Sequence, residues 1–241
     1  MTSKVYCLHG FLGLPSDWDF LGNPPETALE KVDIFRLLSP STGANMSDWA
    51  EALNDQVAQR SEKRVLLGYS MGGRLALHSL VRNPSPWAGA VIVSANPSPL
   101  PEEREPRLVA DEAWAQRFEN EPWDNVVLAW ENHPVFGGKP IPFVRREEDF
   151  RRKDLAGAFR AWSLARQENL TPRLSGLEVP VLWITGEQDS RYHEIAKRVR
   201  AQLPEAPIEF VSVPESGHRV PWEQPEIFQT HFSSFLQRIF C

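Results

Sequence analysis

The residues best suited to chemistry lie in Gly68-Tyr69-Ser70-Met71-Gly72. This G-x-S-x-G pattern follows the apolar run Val65-Leu66-Leu67 and precedes a helical stretch from Gly73, which is the setting of a nucleophile elbow. On such a turn the serine stands exposed between strand and helix, and the flanking glycines remove side chains that would clash. The helix N-terminus beneath it favours developing negative charge. Folds that carry this turn bring an acid and then a histidine from later loops, each after a strand. Asp189 fits the acid, in Thr185-Gly186-Glu187-Gln188-Asp189. Glu187 is its rival, but the turn needed to aim the acid inward favours the later residue. His218 fits the base, in Glu215-Ser216-Gly217-His218. Its task would be to take the Ser70 proton, with Asp189 orienting the ring and stabilising its cation. The other histidines fit less well. His78 and His231 fall on helices, His193 follows the acid too closely, His133 lies in an inserted segment, and His9 packs beneath a loop. That loop, His9-Gly10-Phe11, follows the first strand, so the amides of Phe11 and Met71 can form an oxyanion hole. One such donor is typically worth about 2.7–4 kcal/mol.

These groups need a scaffold of strands and helices in alternation. Short apolar runs at residues 5–8, 65–67, 90–94, 179–185 and 208–213 read as buried strands, with a weaker run at 32–38. Near-continuous apolar character is what a parallel sheet covered on both faces requires. Helical patterns span 48–59 with Ser47 as N-cap, 73–82, 192–203 with Ser190 as N-cap, and 225–240. The expected fold is therefore α/β, a mostly parallel, doubly wound sheet. One interruption opens with Pro97-Ser98-Pro99-Leu100-Pro101 and then turns helical at 102–119, 123–131 and 149–167, with no strand. The expected organisation is a core of residues 1–95 and 172–241, with residues 96–171 inserted as a helical cap over the carboxyl edge of the sheet.

Composition excludes several classes. The 241 residues carry a net charge of −6, which argues against general binding to nucleic acid or a membrane surface. No run approaches the ~20 apolar residues of a membrane-spanning helix. The apolar run at 5–8 is shorter than the 7–15 residues of a signal-peptide core, so a cytoplasmic protein is expected. Cys7 and Cys241, at opposite ends, form neither a disulfide scaffold nor a zinc pattern. Twenty arginines against six lysines is an unusual ratio.

The elbow, the chain order and the sheet pattern resemble the α/β-hydrolase superfamily over essentially the whole chain. More narrowly, Gly68-Tyr69-Ser70-Met71-Gly72-Gly73-Arg74 resembles the bacterial 2-succinyl-6-hydroxy-2,4-cyclohexadiene-1-carboxylate synthases of menaquinone biosynthesis. Similar to that family too are Trp114-Ala115-Gln116-Arg117-Phe118, Glu121-Pro122, Trp130, His133-Pro134-Val135-Phe136, Ser163-Leu164-Ala165 and Gly186-Glu187-Gln188-Asp189-Ser190. The resemblance implies a lyase that eliminates pyruvate from a cyclohexene bearing several carboxylates. Its triad would act as a proton-abstracting base, without an acyl-enzyme, cofactor or metal. Such a small anionic substrate would be held by guanidinium forks. Arg74 lies one helical turn after Ser70, and Arg107 matches the family's cap arginine by its spacing before Trp114. A third family arginine falls within residues 145–152, with Arg146 as its candidate. Tyr69 and Trp130 would line the pocket by the same carry-over. Where the family usually has a Pro-Gly-His-Gly-type loop, this chain reads Leu38-Ser39-Pro40-Ser41-Thr42-Gly43. The chain also begins almost at the first motif strand. The second expectation is a carboxylesterase that uses Ser70 as a true nucleophile. The sequence leaves the oligomeric state open.

Overall fold

The computed structural model describes residues 3–22, 27–59 and 61–240. Six strands form one sheet: β1 (Ser3–Leu8), β2 (Thr27–Val32), β3 (Arg64–Tyr69), β4 (Gly89–Val93), β5 (Val181–Gly186) and β6 (Ile208–Val213). Their order is β2-β1-β3-β4-β5-β6, and every neighbouring pair is parallel. The helices are α1 (Ile34–Leu37), α2 (Met46–Ala58), α3 (Met71–Arg82), α4 (Arg104–Asn120), α5 (Trp123–Glu131), α6 (Arg152–Ala161), α7 (Thr171–Leu174), α8 (Ser190–Gln202), α9 (Val220–Glu223) and α10 (Pro225–Phe240).

Alternation along each strand explains the continuous apolar runs. Val5, Cys7, Val65, Leu67, Leu182 and Ile184 pack toward Phe228, Phe232 and Phe235 of α10. Tyr6, Leu8, Leu66, Ile92 and Trp183 face the opposite cluster, which holds residues of α2, α3 and α8. A strand with helices on both faces has no polar side to show. Burial also pushes the Cys7 thiol far up, so it is an unreactive core residue; Cys241 lies outside the described residues.

The weak strand expected at 32–38 is a correction. The edge strand β2 lies earlier, at Thr27–Val32, and its mixed exposure gives it no apolar signature. Asp33 then caps α1, its carboxylate accepting from the amides of Phe35 and Arg36. The caps expected at Ser47 and Ser190 each move as well. Asn45 caps α2 by accepting from the amides of Ser47 and Asp48, while the Asp48 carboxylate accepts from the Asn45 amide. Asp189 caps α8.

Between β4 and β5 the described chain is helical or irregular, with no strand. The helix expected at 149–167 is shorter, α6 covering Arg152–Ala161. Phe118 of α4, Trp123 and Val126 of α5, and Leu155 and Phe159 of α6 join the cluster that covers the α3 side of the sheet. The inserted helices are thus packed on the same core as the sheet. No helix among the described residues is long and apolar enough to cross a membrane.

Candidate active site

Ser70 follows β3 and caps α3, with φ 51° and ψ −111°. This conformation is strained for a residue with a Cβ, and the surroundings must enforce it. The Ser70 amide donates to Val93 O at 2.8 Å, and the Arg74 amide donates to Ser70 O at 3.0 Å. The close crossing of β3 and α3 also explains the glycine at 68: a Cβ there would stand 2.5 Å from Gly72 O.

The three residues expected to act together do meet. His218 Nδ1–H donates to Asp189 Oδ2 at 2.6 Å, and the Ser70 hydroxyl donates to His218 Nε2 at 3.1 Å. The carboxylate at Nδ1 selects the tautomer that leaves Nε2 an acceptor toward the serine. The other Asp189 oxygen, Oδ1, accepts from the Tyr192 amide at 3.3 Å, so the cap of α8 and the partner of His218 are one carboxylate. Asp189 and His218 are buried, whereas Glu187 is exposed. Asp189→Asn is accordingly expected to lower kcat/KM at least about 10²-fold, while Glu187→Gln stays within about threefold, in steady-state assays of the two variants. The reverse ranking would identify Glu187 as the acid.

The loop that carries His218 is held by Glu223, a residue the sequence reading missed. Its carboxylate accepts from the Gly217 amide at 2.6 Å and the Arg219 amide at 2.9 Å. Lys139 pairs with the same carboxylate at 2.6 Å. On the other side of the serine, His9 accepts at Nε2 from the Ile34 amide and donates from Nδ1 to Gly10 O at 2.8 Å. Burial lowers its pKa, which keeps it the neutral brace beneath Gly10-Phe11. Among the described residues neither the Phe11 nor the Met71 amide donates a backbone hydrogen bond, and both residues line the cleft above Ser70.

That cleft has a volume of about 580 Å³. Arg74 and Arg107 both line it, as does Trp130. Arg74 is buried, and it donates to Trp162 O at 2.8 Å and to Gln167 Oε1 at 3.2 Å. Desolvation, and then the charge of Arg107, lowers its pKa to about 10, so it stays a cation at neutral pH. Arg107 Nε donates to Asp111 at 2.7 Å. Two further cleft residues were missed. Tyr192 packs its ring 4.5 Å from that of His218, and burial raises its phenol pKa. His133 accepts at Nδ1 from the Val135 amide, which leaves Nε2–H as its free donor. Burial, with the charges of Arg107 and His218, lowers its pKa and favours the neutral ring. The run His133-Pro134-Val135-Phe136 was the available signal for the latter.

Two expected residues sit elsewhere. Arg146 is exposed and does not line the cleft. Its neighbour Arg145 turns inward instead, forming a two-pronged pair with Asp17 at 2.7 and 2.6 Å, both groups buried. Residue 146 of that extended segment must then face outward. Tyr69 lies beneath the cleft, its ring 4.8 Å from Trp222 and 5.4 Å from His218, and it borders a separate void of about 40 Å³.

The alpha/beta hydrolase family model matches residues 5–228. A protein of Bacillus subtilis (strain 168), provisionally named 2-succinyl-6-hydroxy-2,4-cyclohexadiene-1-carboxylate synthase, is 34% identical over 99% of this chain and 92% of its own length. The protein of that name from Serratia proteamaculans (strain 568) is 30% identical, over 95% of this chain and 91% of its own. Among solved structures, MenH from S. aureus is similar with a TM-score of 0.84 and 21% identity, covering 100% of this chain and 96% of that one. A thermophilic esterase from Thermogutta terrifontis (malate bound) gives a TM-score of 0.71 at 20% identity, over 98% and 90%.

Proposed function

The chain belongs to the alpha/beta hydrolase family, alongside relatives named 2-succinyl-6-hydroxy-2,4-cyclohexadiene-1-carboxylate synthase, and on that premise we propose that it eliminates pyruvate from 2-succinyl-5-enolpyruvyl-6-hydroxy-3-cyclohexene-1-carboxylate in menaquinone biosynthesis. It would then be a carbon–oxygen lyase on a hydrolase scaffold. The cap of residues 96–171 closes the substrate cleft over the core of 1–95 and 172–241.

The step begins at the ring carbon next to the succinyl carbonyl. Ser70 Oγ takes that proton as its own passes to His218 Nε2, and Asp189 stabilises the resulting imidazolium. The electrons of the C–H bond flow into the carbonyl, whose oxygen becomes negative. The amides of Phe11 and Met71 would receive that charge. As the charge returns, the ring double bond shifts, the bond to the enolpyruvyl oxygen breaks, and enolpyruvate leaves. The proton held by the His218 imidazolium passes to it as it becomes pyruvate, which restores the neutral imidazole. No bond forms between Ser70 and carbon.

The observation that carries this reading is the pair of guanidinium groups, Arg74 and Arg107, lining the same cleft as Ser70 and His218. A pocket for neutral esters would gain little from guanidinium groups, whereas substrate carboxylates pair with them. Arg107 already holds Asp111 of the same cleft, and among the described residues Arg74 holds no carboxylate. The carboxylesterase reading draws on the hydrogen bond from Ser70 to His218, which equally suits attack on an acyl carbon. Pyruvate release from the cyclohexene precursor, compared with hydrolysis of p-nitrophenyl esters by the same preparation, separates the two.

A further inference from the structure

The short loop 215–219 carries His218, and the inserted segment holds it at both ends. At the first, the Lys139 ammonium donates to Glu215 O at 2.9 Å. At the last, the Arg219 guanidinium donates to Lys139 O at 2.8 Å and to the Glu131 carboxylate of α5 at 2.6 Å. Between them the core supplies the Gln188 amide, which donates to Ser216 O at 2.8 Å. A turn at Gly137 and Gly138 brings Lys139 to this place, with φ angles of 59° and 74° that a residue with a Cβ adopts only under strain.

Arg219 is enclosed. Its side chain is 3% exposed, and its guanidinium carbon lies 3.6 Å from the centre of the Phe136 ring. Its amide donates to Glu223, so its backbone and its side chain are both fixed. Phe136 in turn stands 6.0 Å from the His218 ring, against which Tyr192 and Tyr69 also pack. Arg219 therefore reaches the imidazole by two routes, the adjacent peptide and the ring of Phe136. A cation this deeply buried is costly unless paired, so the bond to Glu131 ties residue 219 to α5 in one geometry.

That geometry bears on the triad. His218 must keep Nε2 within 3.1 Å of Ser70 Oγ while its Nδ1–H stays 2.6 Å from Asp189 Oδ2. Ser70 and Asp189 are set by the N-terminal ends of α3 and α8, whereas His218 depends on its loop. A misplacement of about 1 Å at a reacting group can cost about 10²-fold in rate.

We propose that Arg219 is a positioning residue: by binding Glu131, Lys139 O and the Phe136 ring, it fixes the His218 loop against the inserted segment and sets the aim of the imidazole at Ser70. It does not line the Ser70 cleft, so it acts through His218 and not on the substrate. The inference rests on the reading of Ser70 and His218 as the pair that moves the proton, which elimination and ester hydrolysis share.

The test compares Arg219→Gln, Arg219→Lys and Glu131→Gln with the wild type in the full chain. Pyruvate release from the cyclohexene precursor gives kcat and KM. Proton NMR follows the far-downfield Nδ1–H of His218, which reports its short bond to Asp189. Arg219→Gln is expected to lower kcat at least about tenfold with KM within about threefold, and to shift or broaden the His218 signal. Arg219→Lys, which keeps the charge but not the two-acceptor fork, should recover part of the loss. Glu131→Gln, which leaves the buried guanidinium in place, should lower kcat at least about threefold, and it carries the test with Arg219→Lys if Arg219→Gln does not fold. The proposal is overturned if the folded variants keep kcat within about twofold and the His218 signal unchanged, which would make the Arg219–Glu131 pair purely structural. It is equally overturned if KM alone rises, which would place the effect on substrate binding. A wild-type protein that hydrolyses p-nitrophenyl esters without releasing pyruvate refutes the elimination alone. The same kcat comparison is then made on the ester, and the His218 signal is read in either case.

Discussion

Ser70→Ala is expected to lower kcat/KM for pyruvate release by about 10²–10⁴-fold while leaving the protein folded. The reason lies in how little else in the cleft can accept the substrate proton. His218 Nε2 faces Ser70 Oγ at 3.1 Å, so the imidazole reaches the substrate through the hydroxyl. Removing that oxygen leaves a base too far from carbon and a gap that water can enter. His218→Ala should cost a similar factor, since an unassisted serine hydroxyl is a very weak base at neutral pH. The double variant should be scarcely worse than either single one, because the pair works as a unit and the remaining rate comes from binding and the oxyanion donors. Steady-state kinetics of the three variants checks this. Strictly multiplicative losses would mean that serine and histidine act on separate steps.

The second large effect is expected at Arg74. Arg74→Ala should lower kcat/KM at least about 10²-fold, and Arg74→Lys should recover only part of it. A lysine reaches one oxygen with a point charge, whereas the guanidinium is held as a planar fork. That fork is pre-set by Trp162 O and Gln167 Oε1, so its orientation costs little when substrate arrives. Both acceptors lose their donor in the alanine variant, which should also cost about 1–3 kcal/mol of stability. Thermal unfolding alongside the kinetics separates the two consequences. A variant that is destabilised yet turns over within about threefold of wild type would show that Arg74 is purely structural.

The triad was legible in the sequence because each member follows a short apolar run, β3 and β5 fully buried and β6 at the half-exposed sheet edge, and chain order then limits the candidates. Asp189 shows what spacing cannot reveal. It is both the cap of α8 and the partner of His218, and only the fold shows that one carboxylate serves both. Edge strand β2 escaped notice because its open side needs no apolar residues. The cap arginines were the hardest to place. In the segment 143–147 a shift of one residue exchanges inside for outside, and Arg145 rather than Arg146 turned in to meet Asp17. The arginine excess now reads as two populations. Most arginines of the inserted helices are tied to carboxylates, and such pairs at the surface are worth only about 0–1 kcal/mol. A few face cavities, and those are the ones that bear on function.

The central claim is that the cleft holding Ser70, His218, Arg74 and Arg107 performs an elimination. Its most direct test is to supply the purified protein with 2-succinyl-5-enolpyruvyl-6-hydroxy-3-cyclohexene-1-carboxylate and to follow pyruvate with lactate dehydrogenase, beside a Ser70→Ala control. The expected result is one pyruvate per precursor consumed, at a rate well above spontaneous breakdown and at least about 10²-fold above the control. Fast hydrolysis of p-nitrophenyl esters with pyruvate release no faster than in the control would contradict the claim and leave a serine hydrolase.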